Sequence, residues 1–211
     1  MRKEILLGDE AIGLGAIHAG LSGVYGYPGT PSTEIFEFIE QRTRKAGDVH
    51  AFWSTNEKVA YEVAYGAAVG GVRSLFACKH VGLNVAMDPL MTSSYSGVTA
   101  GFVIVVCDDP GMHSSQNEQD TRWVGIYGKL PVLEPCSPAE AREFVGEAFK
   151  ISEKFDTPVI VRMTTRISHT KENVKLGKRL KVKPVKLEPN MRKYVMVPAN
   201  ARMRHEVIEK R

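Results

Sequence analysis

The sequence predicts an α/β domain, a doubly wound and mostly parallel sheet of about six strands, followed by an extended C-terminal arm. Three observations carry that expectation. Short apolar runs alternate with helical patterns from residue 9 to about 165, which is how strand–helix repetition and a parallel sheet are written. Gly101–Cys107, Gly-Phe-Val-Ile-Val-Val-Cys, is apolar almost throughout, as a central strand covered on both faces must be. Charge also splits along the chain: residues 171–211 hold 13 Lys and Arg against 4 Asp and Glu, net +9, while the first 170 hold 15 against 20, net −5.

Each element has its own justification. Gly8-Asp9-Glu10 opens a small-residue helix through about His18, with Asp9 as the expected N-cap. Gly23–Pro28 reads as the first buried strand, ended by Pro28-Gly29-Thr30-Pro31. Pro31 is then expected at the first position of a helix to about Arg44, where its missing N–H costs nothing. Val49–Ser54 is a second strand and Glu57–Gly70 a helix rich in Ala and Gly. Ser74–Lys79 is the third strand, with a helix from about Gly82 to Ser93. After Gly101–Cys107 comes a polar stretch, Asp108–Gln119, and a short helix to about Tyr127. Pro131–Glu134 and Val159–Met163 are two further strands flanking an amphipathic helix, Pro138–Lys154. The folded unit is thus expected over 1–170, and 171–211 as a basic, exposed connector (Lys171, Lys175, Lys178, Lys181, Lys183, Lys186) with a terminal helix, about Ala199–Lys210. That helix carries no C-cap glycine, which hints at a longer natural polypeptide.

Composition excludes several classes. A chain of 211 residues, 43% hydrophobic, is the size of one domain. It holds no run of the roughly 18 apolar residues that a membrane helix needs. Met1-Arg2-Lys3-Glu4 turns polar too soon for a signal peptide. Cys78, Cys107 and Cys136 form no CxxC pair, which argues against iron–sulfur or structural zinc sites and for reduced, buried thiols in a cytoplasmic protein. The basic arm lacks interleaved aromatics beyond Tyr194, so no nucleic-acid partner is expected. Gly13-Leu14-Gly15 lies inside a helix rather than after a strand, so it is not a dinucleotide fingerprint.

Ligands of open α/β sheets bind beyond the carboxyl ends of the strands, and four such loops stand out. Tyr27–Glu34 places hydroxyls at a helix N-terminus, suited either to an anion or to ordinary capping by Thr30 with Thr33 or Glu34. Ser54-Thr55-Asn56-Glu57 opens the Ala/Gly helix, where Glu57 at the least complements the macrodipole. Lys79-His80 follows a strand directly, where it can meet an anion, shuttle a proton or serve structure alone. Asp108–Asp120 is long enough to be functional or disordered, and its acids lack calcium-loop spacing, so no metal is expected on this chain.

Six segments together carry a resemblance: GDEAIGLGAIHAG (8–20), YGYPGTPSTEI (25–35), NEKVAYEVAYGAAVGG (56–71), KHVGLNVAMDPL (79–90), DDPGMHSSQNEQD (108–120) and VPANARMRH (197–205). In order and spacing they resemble the pyrimidine-binding domain of thiamine-diphosphate-dependent 2-oxoacid:ferredoxin oxidoreductases, in particular the N-terminal part of the alpha subunits that oxidise indolepyruvate. The resemblance implies that Glu57 hydrogen-bonds the pyrimidine nitrogen N1′ and so favours the imino tautomer, whose 4′-nitrogen takes the proton from thiazolium C2. It implies close stacking of the pyrimidine on the small helix face, with Glu57, Gly29, Thr30 and His80 on the cofactor side, Glu57 and His80 as the catalytic pair, and Thr30 and His113 toward the substrate.

By the same resemblance, the reaction is oxidative decarboxylation of an aryl 2-oxo acid to acyl-CoA with ferredoxin as electron acceptor. The GDG…N motif for diphosphate and Mg²⁺ is absent, as is a cysteine-rich cluster region, so Mg²⁺ and iron–sulfur clusters are expected on other domains. A diphosphate-binding domain, a beta- or gamma-type subunit and oligomerisation are the implied partners, and the isolated chain is expected to be inactive. The competing reading is a non-catalytic scaffold or docking module of a larger redox complex.

Overall fold

The computed structural model describes residues 2–211. The chain opens with strand β1 (Lys3–Leu7), which runs straight into helix α1 (Gly8–His18) and then β2 (Gly23–Gly26), α2 (Thr33–Thr43), β3 (His50–Trp53) and α3 (Glu57–Val69). Next come β4 (Ser74–Lys79), α4 (His80–Val85), α5 (Met87–Ser96) and β5 (Phe102–Asp108). The body is completed by α6 (Thr121–Gly128), β6 (Val132–Leu133), α7 (Pro138–Phe155), β7 (Val159–Thr164) and the short α8 (Thr165–Ser168). Strand β8 (Lys171–Lys175), α9 (Met191–Tyr194) and α10 (Pro198–Lys210) make up the tail.

Six strands form one sheet in the order β3-β2-β4-β5-β7-β6, every neighbouring pair parallel. Strands β4 and β5 are buried at every residue, which the apolar Gly101–Cys107 run foretells. One face is covered by α1, α2 and α7 through Ile12, Ile35, Ile39, Val145 and Phe149. The other is covered by α3 to α6 through Ala60, Tyr61, Ala64, Leu83 and Leu90. Successive connections run outward from β2 to β3, then back past β2 to β4 and onward. Strand order therefore reverses between β2 and β4, and the crevice beyond their carboxyl ends is where such a sheet takes a ligand.

Local details depart from the sequence expectations for identifiable reasons. Asp9 does not cap α1; Leu7 occupies that position and its N–H donates to the Glu10 carboxylate at 2.8 Å, because β1 feeds the helix without a loop. Asp9 is instead fully buried in the first turn, and burial pushes its carboxyl well up from the usual range. Pro31 lies in a turn before α2, which starts at Thr33 with Ser32 at the N-cap; the expected Thr30 capping box is absent. The single helix expected over 82–93 is two, α4 and α5, broken at Ala86, and the first begins at His80 itself. Of the thiols, Cys78 and Cys107 are buried but Cys136 is exposed.

The arm is extended, as its composition predicts, yet it does not hang free. Strand β8 pairs antiparallel with β1 in a separate two-stranded sheet, with Leu6 and Val174 joining Leu14 and Phe38 in a small third core. From there the chain passes under the amino-terminal edge of the main sheet. Leu180 N–H donates to His18 O at 2.8 Å, Val185 N–H to Gly71 O at 2.8 Å, and Lys193 Nζ to Val98 O at 2.7 Å. Arg204 Nε then donates to Tyr95 O at 2.6 Å and Arg211 to Asp156 O at 2.8 Å. These acceptors cluster where α1, α3, α5 and α7 end, so cationic side chains meet the negative ends of the helix dipoles and their unsatisfied carbonyls. The charge split thus has a structural use within the chain. Among the described residues no helix is long and apolar enough to cross a membrane.

Candidate functional site

The four polar loops follow the carboxyl ends of β2, β3, β4 and β5, and the start of α8 after β7 lies beside them. At the reversal point the Tyr27–Ser32 turn is folded by Ser32 Oγ donating to Gly29 O at 2.7 Å and Gly29 N–H donating to Thr33 Oγ1 at 2.9 Å. Gly29 faces Lys79 of β4, where a Cβ would make ordinary contact, 3.4 Å from the Lys79 Cβ. Lys79 Nζ in turn donates to Ser114 O at 2.9 Å and reaches Ser114 Oγ at 3.1 Å, tying the long loop after β5 to this point. Thr30, His113 and Ser114 then line a cleft of about 760 Å³ with Thr165, Arg166 and His169. Thr30 and His113, expected on the substrate side, are thereby brought together.

Glu57 and His80 stand at the starts of α3 and α4, two helices that pack side by side. Asn56 caps α3, accepting from Val59 N–H at 2.9 Å, and this sets Glu57 as the first helical residue. Its carboxyl group lies against Gly82 in α4: a Cβ at 82 would stand 2.4 Å from Glu57 Oε1 and 2.7 Å from its Cγ. Glu57 is half-buried and has neither an ion pair nor a hydrogen bond from its side chain among the described residues. His80 is 1% exposed and its Nε2 lies 3.2 Å from Asn117 O. A carbonyl only accepts, so Nε2 carries the hydrogen, and Nδ1 is left buried without a partner.

The small face of α3, where the pyrimidine was expected to stack, is taken up by the sheet. Ala60, Ala64 and Ala68 are fully buried against the sheet around Tyr61, Phe76 and Phe102, while Gly66 looks into open space. The close approach is provided instead by Gly82, which sequence reasoning missed. Its one signal is a glycine two residues after His80, in the first turn of a helix whose side faces Glu57.

Two adjacent acids at the end of β5 shape the long loop. Asp109 accepts from Ser114 N–H at 2.8 Å, Ser115 Oγ at 2.6 Å and Thr165 Oγ1 at 2.7 Å. Burial alone would raise its pKa, but these donors outweigh that and hold the carboxyl well below its ordinary range. Asp108 accepts from Thr121 N–H at 3.0 Å and pairs with Arg162 Nε at 2.6 Å, with the side chains 0% and 6% exposed. Arg162 also contacts Glu134. Asp120, hydrogen-bonded chiefly by Arg122, is lowered to about 2. The stretch 108–120 is therefore an anchored loop whose two ends and middle are pinned to the sheet. Among the described residues no group of three His, Cys, Asp or Glu side chains is arranged to hold a metal ion.

The class is a doubly wound α/β domain whose parallel strand order reverses between β2 and β4. Residues 14–210 match the thiamine-diphosphate-binding domain family of pyruvate flavodoxin/ferredoxin oxidoreductases, and the chain belongs to that family. Among its relatives, the indolepyruvate oxidoreductase subunit IorA of Pyrococcus horikoshii is 48% identical over 99% of this chain and 34% of the relative. IorA of Thermococcus kodakarensis is 49% identical over 98% of this chain and 33% of the relative. The 2-oxoglutarate synthase subunit KorA of Archaeoglobus fulgidus is 30% identical over 83% of this chain and 52% of the relative. The chain thus spans about a third of the length of the IorA proteins it matches. A solved 2-oxoglutarate:ferredoxin oxidoreductase from Magnetococcus marinus, with 2-oxoglutarate, coenzyme A and succinyl-CoA bound, shares the fold at a TM-score of 0.78. That match has 19% identity and covers 98% of this chain and 44% of the other.

Proposed function

We propose that this chain supplies the pyrimidine side of a thiamine-diphosphate site that oxidatively decarboxylates an aryl 2-oxo acid of the indolepyruvate kind to its acyl-CoA, with ferredoxin as electron acceptor. The observation that carries the reading is Glu57, a free half-buried carboxyl seated over a glycine cradle at the start of α3. A planar heterocycle fits a place where a carboxyl stands ready to bond a ring nitrogen and no Cβ stands in the way. When bound, thiamine diphosphate supplies the nucleophilic carbon and electron sink that cleavage beside a carbonyl requires.

The chain's own residues bind, orient and move protons. Glu57 holds a proton toward the pyrimidine nitrogen, and Gly82, having no Cβ, lets that carboxyl seat against α4. His80, with Nε2–H committed to Asn117 O, has only Nδ1 left to accept a proton. The turn through Gly29 and Thr30 approaches the cofactor, and Thr30 and His113 face the substrate. Arg166, exposed in the same cleft, offers a guanidinium to the 2-oxo acid carboxylate.

Because the IorA relatives are three times as long, the diphosphate and Mg²⁺ contacts, the iron–sulfur clusters, a beta- or gamma-type subunit and the ferredoxin dock are assigned to other domains or chains of a cytoplasmic oligomer. In this reading residues 1–170 are the cofactor-binding unit, and 171–211 lead onward after strapping the sheet edge.

Glu57→Gln in the assembled enzyme tests the assignment, since it keeps the shape and removes the exchangeable acid proton. Turnover is expected to fall by about 10²- to 10⁴-fold, the usual weight of a proton-transfer group, with thiamine diphosphate still bound. Undiminished turnover would refute it and leave the scaffold reading in possession.

A further inference from the structure

A second cleft, of about 440 Å³, lies far from Glu57, between the C-terminal end of α1, the outer side of α7 and the strap near Lys178. Its polar atoms do not balance. Arg142 has no acidic partner among the described residues, and its Nε is buried with no acceptor. The same guanidinium approaches His18 Nδ1 to 3.3 Å, while Gly177 N–H approaches His18 Nε2 at 3.4 Å. A neutral imidazole has one N–H and one acceptor, so two donors facing its two nitrogens leave one of them opposed donor to donor. Protonating the ring makes the surplus worse. Lys178 adds an unpaired ammonium at the rim, whereas Lys150 is already paired with Glu147 at 2.6 Å. Glu143 and Glu147 are the acids at the rim, and Arg73 is held by Glu153.

The walls are bare where a ligand would rest. Gly146 sits in the middle of α7, where glycine weakens a helix relative to alanine, and a Cβ there would meet nothing within 4 Å. Gly177 passes so near that its Cβ would lie 2.9 Å from the Arg142 guanidinium and 3.4 Å from His18 Nδ1. Open floor, excess donors and excess positive charge are the complement of a compact oxyanion.

We propose that this cleft binds a phosphoryl-type oxyanion, held by Arg142, His18 and Lys178 over the bare backbone of Gly146. The bound anion supplies the missing acceptors and lets His18 take up a proton. Burial, with Arg142 beside it, otherwise depresses the protonation of that ring. The site stands independently of the assignment of Glu57.

Titration of the full chain with inorganic phosphate at constant ionic strength, read by calorimetry and by the His18 ring resonances, tests the proposal. Saturable binding that moves the His18 signals and raises the pH at which that ring titrates is expected. Arg142→Gln should weaken it at least tenfold, and Gly146→Glu, which places an acid in open space without disturbing the fold, should abolish it. Glu57→Gln should leave it unchanged. Should Arg142→Gln fail to fold, Gly146→Glu decides alone. Tighter binding of adenosine monophosphate than of phosphate would identify a nucleotide as the source, and equal affinity free phosphate. Non-saturable binding, or full affinity retained in Gly146→Glu, would overturn the site.

Discussion

Replacing Gly82 with alanine should separate stability from activity. The added Cβ would stand 2.4 Å from Glu57 Oε1, 2.7 Å from Cγ and 2.8 Å from Cδ. The three nearest atoms all belong to the flexible side chain of Glu57, which can move without the backbone. The carboxyl must retreat by about 1 Å to regain van der Waals separation. Alanine favours the helical state over glycine by up to about 1 kcal/mol, which for a chain of this size is worth roughly 2–4 °C in Tm. A displacement of about 1 Å at a reacting centre, by contrast, commonly lowers turnover by about 10²-fold. Thermal unfolding of the chain and steady-state turnover of the assembled enzyme should therefore move in opposite directions. Glu57→Asp, shorter by one methylene, should restore part of the activity in the Gly82→Ala background and none in the parent. Turnover within twofold of the parent would show that Glu57 does not work from this position. A fold lost with the substitution would show that the backbone, not the side chain, was the tight element.

Other outcomes are as definite. Asp108→Ala leaves the Arg162 guanidinium buried against one fewer carboxylate and should cost about 3–5 kcal/mol in urea unfolding, more than the double change of both residues to apolar ones. Asp9, whose folded pKa is raised by burial, releases its proton more readily in the unfolded chain. Stability from this group is therefore highest below the ordinary carboxyl pKa and declines as pH rises. Melts from pH 4 to 8 should accordingly favour Asp9→Asn over the parent progressively, and a constant difference would contradict this. Asp109 has the opposite sign, its stabilisation being present at neutral pH and lost only in strong acid; Asp109→Ala should raise proteolysis of the 110–117 segment severalfold. Thiol titration of the native chain should count one reactive cysteine, Cys136, with Cys78 and Cys107 appearing only on denaturation. Glu140→Gln should speed the reaction of Cys136, because that carboxylate keeps the thiol protonated.

What the sequence makes legible follows the range of the forces involved. Apolar runs and their turns are local signals, so the order of the six sheet strands along the chain and the place of Glu57 at a helix start can be read directly. The β1–β8 pairing cannot, because Lys3–Leu7 and Lys171–Lys175 are mixed polar segments whose partnership rests on contacts across the whole chain. The stripe Ala60, Ala64, Ala68 announces close packing but not its object; only the layer arrangement shows that the sheet takes that face. Gly82 is silent alone and acquires meaning once α3 and α4 lie side by side. Asp108 and Asp109 look like loop acids, and their pinning role depends on Arg162 arriving from the neighbouring strand β7 and Thr165 from the helix α8 that follows it.

The two-stranded sheet has a consequence for how the molecule holds together in time. Strand β1 has β8 as its partner, and the two are separated by nearly the whole body of the fold. Such a contact closes a very long loop, so it should form late in folding and be the first long-range pairing to open. Once formed, it joins the first strand to the strap, and through Arg179 and Asp48, Lys193 and Asp156, the strap joins the rest. Trimming the basic segment at Thr170 would strip the opening strand of its hydrogen bonds and bare Leu6. The cooperative unit that hydrogen exchange should reveal accordingly runs past Lys175, and the two ends of the chain should lose protection together.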